Sequence, residues 1–128
     1  MTRCPCSSGL PLDECCAPLH RGERTAGTAE QLMRSRFSAY AVGDAAYLLR
    51  SWHPSTRPAD LTIDDDVRWL RLDVLATSGG GAFDTTGTVE FAAHWRSPDG
   101  RGSMREVSSF TRGADGWQYV DGRLAPPG

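Results

Sequence analysis

The 128-residue chain contains no lysine and no asparagine, so every one of its fourteen basic Lys/Arg-type side chains is an arginine. Without lysine there is no phosphate-loop lysine, no Schiff base and no lysine general base. Without asparagine there is no Cys-His-Asn triad and no N-linked glycosylation site. No apolar run approaches the length of a membrane span. Cysteines follow Met-Thr-Arg where a signal peptide would carry its apolar core, so the expected compartment is the cytoplasm. The net charge of -2 argues against a generic nucleic-acid or membrane-surface binder.

Cysteine is absent from everything after residue 16, and all four cysteines lie in Cys4-Pro5-Cys6 and Cys15-Cys16. The spacer between the pairs carries Gly9 and Pro11 and can turn back on itself, bringing the second pair onto the first. Four thiolates suit a tetrahedral zinc site, and such a set leaves no open position for water, so the expected ion is a structural Zn2+. A disulfide between adjacent Cys15 and Cys16 would be strained. The spacing matches no common ferredoxin pattern. Clustered thiols in a reducing compartment more often hold metal than form disulfides. His20 is an alternative ligand, an exposed side chain or a hydrogen-bond donor behind the ligands, and Arg3, Arg21 and Arg24 are placed to offset the charge of a tetrathiolate site. On its own the N-terminal segment is too small to bury a core, and zinc binding worth roughly 10–16 kcal/mol would decide its folding.

A helix is predicted from Thr28, where Thr28 and Gln31 have the spacing of a capping box, to Gly43. Leu32, Met33, Phe37, Tyr40 and Ala41 form its apolar stripe. Asp44 caps a second, shorter helix carrying Tyr47, Leu48 and Trp52, which ends before His53-Pro54. Residues 60–66 read either as loop or as a short acidic helix. Strands are expected over residues 69–77, 88–96, 103–112 and 117–121. A long, flexible hairpin around Gly79, Gly80 and Gly81 joins the first two, and residues 124–128 read as a tail. Helices followed by antiparallel strands make an α+β domain with the helices on one face of a curved sheet.

Cys4-Pro5-Cys6-Ser7-Ser8-Gly9 with Cys15-Cys16 resembles the SEC-C motif, the zinc-binding element also found at the end of the SecA translocase ATPase. Residues 11–40, above all Thr28-Ala29-Glu30-Gln31-Leu32-Met33-Arg34-Ser35-Arg36 with Ser38-Ala39-Tyr40, resemble the small bacterial YchJ-type proteins. Further matches are His53-Pro54, Trp69-Leu70, Val89-Glu90-Phe91, Glu106 with Phe110, and Trp117 through Tyr119 to Asp121-Gly122. The resemblance implies a zinc knuckle over residues 1–24 and a nuclear-transport-factor-two-like cone over residues 25–128. It implies Cys4, Cys6, Cys15 and Cys16 as the metal ligands. Ser7 stands where the motif usually has glycine, and Met104 where the YchJ pattern often has histidine. The family likeness implies a fold rather than an activity.

Two functions follow as expectations. The first is a non-enzymatic adaptor whose knuckle binds a protein, such as a chaperone or the ribosome, through Leu10, Leu12, Pro18 and Leu19 with Arg21 and Arg24 at the edge. The second is a small-molecule receptor or enzyme working in the cone, with zinc as a fastening. Its pocket candidates are Glu106, Tyr119, Asp121, His53 and His94, together with Glu90. A carboxylate among aromatics has its pKa raised by desolvation, whereas Glu90 and Glu106 could equally be ion-pair partners of Arg96, Arg105 or Arg112. Trp117, Tyr119 and Asp121 are expected to share a face of the last strand. The sequence leaves open whether the outer face of the sheet pairs with a second copy, and it implies no membrane partner.

Overall fold

Local signals set the helix ends. In the computed structural model, which describes residues 2–124, Thr28 Oγ1 accepts the N–H of Gln31 at 3.1 Å. The Gln31 side chain in turn takes the N–H of Gly27 at 2.7 Å, one residue earlier than a strict capping box. Gly43 closes the helix at φ 81°, a conformation glycine adopts without steric cost. Asp44 then accepts from the N–H of Tyr47 at 3.0 Å and starts the next helix. The elements are a short 3-10 turn over Leu12–Glu14, helices α1 (Ala17–His20), α2 (Ala29–Val42) and α3 (Ala45–Arg50), and strands β1 (Arg68–Gly79), β2 (Thr86–Ser97), β3 (Gly100–Gly113) and β4 (Gly116–Leu124). Leu124 therefore ends β4, and the rest of the expected tail lies outside the described residues.

The four strands form one antiparallel sheet in sequence order. Alternation along β2 turns Val89, Phe91 and Ala93 to α2, whose Leu32, Met33 and Phe37 complete a core with Leu72, Phe110 and Trp117. A smaller cluster of Leu19, Ala39, Tyr47 and Leu48 joins α1, α2 and α3. Residues 60–66 are not helical: Leu61 and Ile63, spaced by two, pack on that second cluster, and Asp64 Oδ1 accepts the N–H of Asp66 in a tight turn.

The glycines of the first hairpin serve close approach. A Cβ on Gly87 would lie 2.5 Å from the Gly80 backbone, and one on Gly80 would lie 2.8 Å from the Ala29 Cβ. Through this contact Gly80 O accepts the N–H of Ala29 at 3.0 Å, so the hairpin carries the start of α2. At the other end, residues leaving α3 dock on β4: Tyr119 N–H donates to Ser51 O at 2.9 Å and His53 N–H to Tyr119 O at 2.7 Å. A register shift in the β3–β4 pairing opposes Phe110 to Tyr119 but Ser109 to Asp121. The extra residue, Val120, reverses the alternation, so Tyr119 faces inward and Asp121 outward.

Candidate functional site

The cysteine segment folds as a miniature hairpin, with Cys4 N–H on Leu10 O and Leu12 N–H on Thr2 O, each at 2.9 Å. The 3-10 turn and α1 return Cys15 and Cys16 to the first pair. All four sulfurs lie within 4.8 Å of one another. Cys6 and Cys15 sulfurs are 3.6 Å apart, and Cys15 and Cys16 sulfurs 3.8 Å. A tetrahedron with zinc–sulfur bonds of about 2.3 Å has sulfur–sulfur edges of about 3.8 Å. The cluster fits a metal site.

At such distances the thiols shift one another's proton affinity. Hydrogen bonds from Cys16 and Cys4 hold the Cys6 thiol far below its ordinary value. Hydrogen bonding with Cys4 and Cys6 drives the Cys16 thiol far above it, and burial pushes Cys15 up to about 11. A divalent cation bound there would compensate the charge of the deprotonated sulfurs.

The cluster is tied to the larger body at three points. Cys4 Sγ lies 3.2 Å from Ser38 Oγ on α2, Arg34 donates to Cys6 O at 2.8 Å, and Ser7 Oγ accepts the N–H of Leu72 on β1 at 3.1 Å. Ser8 Oγ sits 3.1 Å from Cys15 Sγ. His20 is not among these sulfur contacts: its Nε2 donates to Ser35 O at 2.8 Å and its ring packs 4.8 Å from that of Tyr47. Arg21 pairs with Glu23 at 2.7 Å, and Arg24 lines a separate cleft with Arg50 and Arg57.

Between α2 and the inner face of the sheet lies a cavity of about 260 Å³. Phe37, Trp69, Phe91 and Met104 give it apolar walls, and Arg36, Glu106, Ser108 and Tyr119 supply polar groups. Burial raises the Glu106 carboxyl above its usual range. Burial, helped by the charge on Glu106, pushes the Tyr119 phenol up to about 12. Gly122 makes room for this carboxylate, since a Cβ there would run into the Glu106 side chain. The structure thus brings Glu106 and Tyr119 together. It places the other sequence candidates elsewhere. Asp121 is exposed beyond the bulge. His94 is paired with Asp73 at 3.0 Å, on the strand face opposite Val89 and Phe91. His53 accepts the N–H of Ser55 on its Nδ1 at 3.1 Å. Glu90 takes a hydrogen bond from Arg105 at 2.5 Å.

The family model "YchJ, middle NTF2-like domain" matches residues 28–122. The chain belongs to the YchJ family. A UPF0225 protein of Streptomyces coelicolor is 50% identical over 121 residues, 94% of each chain. Among solved structures, a SEC-C motif containing protein from Rhodopseudomonas palustris superposes with a TM-score of 0.84 at 33% identity, covering 98% of this chain and all of the other. A second SEC-C motif containing protein, from Psychrobacter arcticus, gives 0.77 at 27% identity over 97% and 83% of the two chains.

For this YchJ-family chain the expected α+β fold, helices on an antiparallel sheet behind an N-terminal cysteine cluster, is the one observed. Among the described residues no helix is long and apolar enough to cross a membrane. Two residues absent from the sequence candidates matter at the sites: Arg34 at the cysteine cluster and Arg36 at the cavity. Arg36 carried a signal, since it falls at helical spacing between Leu32 and Tyr40 on the apolar stripe.

Proposed function

We propose that this chain is a small-ligand-binding protein whose cone cavity holds the ligand and whose four cysteines hold a structural zinc ion. The observation that carries the reading is the cavity itself: apolar walls meeting a few convergent polar groups, two of them with raised pKa values. Glu106 and Tyr119 are also the acid–base groups available to any turnover there. The ligand set Cys4, Cys6, Cys15 and Cys16 leaves no open coordination position, which supports a fastening role for the ion in the reducing cytoplasm. Zinc, when bound, would lock the two sulfur pairs together. The chain's own contacts at Ser38, Arg34 and Ser7 then transmit that constraint to α2 and β1.

The test is a fragment screen read on the Trp69 indole resonance. Fragments that shift it in the native protein should lose binding when Met104→Trp fills the cavity. Binding unaffected by Met104→Trp, or a screen without a single binder, contradicts the reading.

A second reading, protein docking on the knuckle, is favoured by Leu10, which is 49% exposed at the tip. Pro18 and Leu19 are buried, so the expected apolar patch narrows to Leu10 and the partly covered Leu12. Leu10→Asp with Arg21→Ala should release a co-purifying protein while leaving metal content unchanged; an unaltered set of co-purifying proteins sinks this reading.

A further inference from the structure

Arg36 lies on the face of α2 that packs against the sheet and is only 4% exposed. A buried guanidinium is costly unless its charge and its donors are matched. Here the match is partial. Nη1 donates to Leu48 O at 2.7 Å and to Ser51 Oγ at 2.6 Å. The guanidinium carbon lies over the Tyr119 ring, 4.4 Å from its centre, and over that of Trp52 at 5.0 Å. Among the described residues no carboxylate lies within ion-pair distance of it, and Nε and Nη2 have no hydrogen-bond partner. Neither nitrogen is sealed off from solvent, and the residue lines the cavity. Burial lowers its pKa only to about 10, so the group is cationic at neutral pH.

We infer that Arg36 is the anion anchor of the cavity and that the ligand is a small apolar monocarboxylate. The inference rests on the cavity being a ligand site, as proposed above. An Nε and an Nη2 left free on one guanidinium form the fork that a carboxylate fills with two parallel hydrogen bonds. Arg36 is the one cation lining this cavity, and burial shifts the Glu106 carboxyl toward its neutral form rather than toward a competing anion. A dianion such as a phosphate ester would therefore be left without a second positive partner, whereas a single carboxylate is matched. The apolar part of the lining, Phe37, Trp69, Phe91 and Met104, suits an aryl or branched alkyl body. Size agrees: a cavity of about 150 Å³ admits benzene, and this one of about 260 Å³ has room for a ring with a short acid arm.

The probes are phenylacetate and its neutral isostere phenylacetamide, titrated into the metal-loaded full chain and followed on the Trp69 indole and the Arg36 Nε–H resonances. Phenylacetate should bind about tenfold or more tightly than phenylacetamide, because only the acid matches the buried cation. It should also shift the Arg36 Nε–H signal. Arg36→Lys, which keeps the charge and loses the fork, should remove most of this preference and bring the acid and amide affinities together. Equal binding of acid and amide, or a preference that survives Arg36→Lys, overturns the anchor and leaves the cavity reading standing. Failure of both probes together with failure of the fragment screen overturns both. If Arg36→Lys does not fold, the acid-to-amide ratio in the native chain decides by itself.

Discussion

Cys4 Sγ and Ser38 Oγ lie 3.2 Å apart, one in the cysteine cluster and the other buried on α2. Arg34, one turn earlier on the same helix face, holds Cys6 O. The next stripe of the helix, with Met33, Arg36 and Phe37, faces the cavity. One helix therefore borders both sites. Ser38→Ala removes a hydroxyl from a buried sulfur and should cost about 1 kcal/mol of stability. Denaturant titration of the metal-loaded protein checks it, and an unchanged midpoint would show the contact to be energetically idle.

Metal removal should have a larger effect. The cluster's apolar surroundings amount to little more than Leu12 and the cysteines themselves. Chelation, or Cys6→Ser at the buried centre, should release residues 2–20 to fast amide exchange and lower the thermal midpoint. Strands β2 and β3 should keep their protection, because their core does not involve the sulfurs. Uniform loss of protection along the chain would contradict this.

Ser7 is the one non-glycine residue with positive φ among those described, at 68°, a conformation costing an L-residue roughly 1–2 kcal/mol. Its hydroxyl offsets that cost by taking the N–H of Leu72 on the edge strand β1. Ser7→Ala keeps the strain and loses the bond, so it should destabilise by about 1–2 kcal/mol. Ser7→Gly removes both and should fall closer to the native value. The order of the two variants in thermal melts is the check.

Glu106 has a folded pKa above its unfolded value because of burial. The native state then binds the proton more tightly, so this group favours folding below the unfolded pKa of about 4.3 and loses that advantage as pH rises through the folded value. Glu106→Gln should flatten that part of the pH–stability curve. Gly122→Ala, whose Cβ would displace the Glu106 side chain, should return the carboxyl toward its ordinary range in a carbon-detected NMR titration. An unmoved titration midpoint in Gly122→Ala would show that the two residues do not share this space.

The parts legible in the sequence are those set by local chemistry. Thr28, Gly43 and Asp44 act through their own neighbours, and the alternation of Val89, Phe91 and Ala93 follows from the pleat. The cysteine pairs were legible because no other element competes for them. Asp121 was not, since the added residue of a bulge looks like any other strand residue, and its effect is to reverse a face. The charge arrangement was hidden for a related reason: Arg21 finds Glu23 and Asp13 close by, while Arg34 reaches the cysteine loop across 28 positions of sequence. Glu106 and Tyr119 could be named as candidates, but their meeting depends on the β3–β4 register.

Native mass spectrometry of the untagged protein, prepared reduced and then offered phenylacetate, tests the account most directly. It predicts one zinc per chain held by four deprotonated thiols, and one further equivalent of phenylacetate that Met104→Trp does not take up. A metal-free chain whose N-terminal hairpin is nevertheless ordered, or ligand uptake indifferent to a filled cavity, would contradict it.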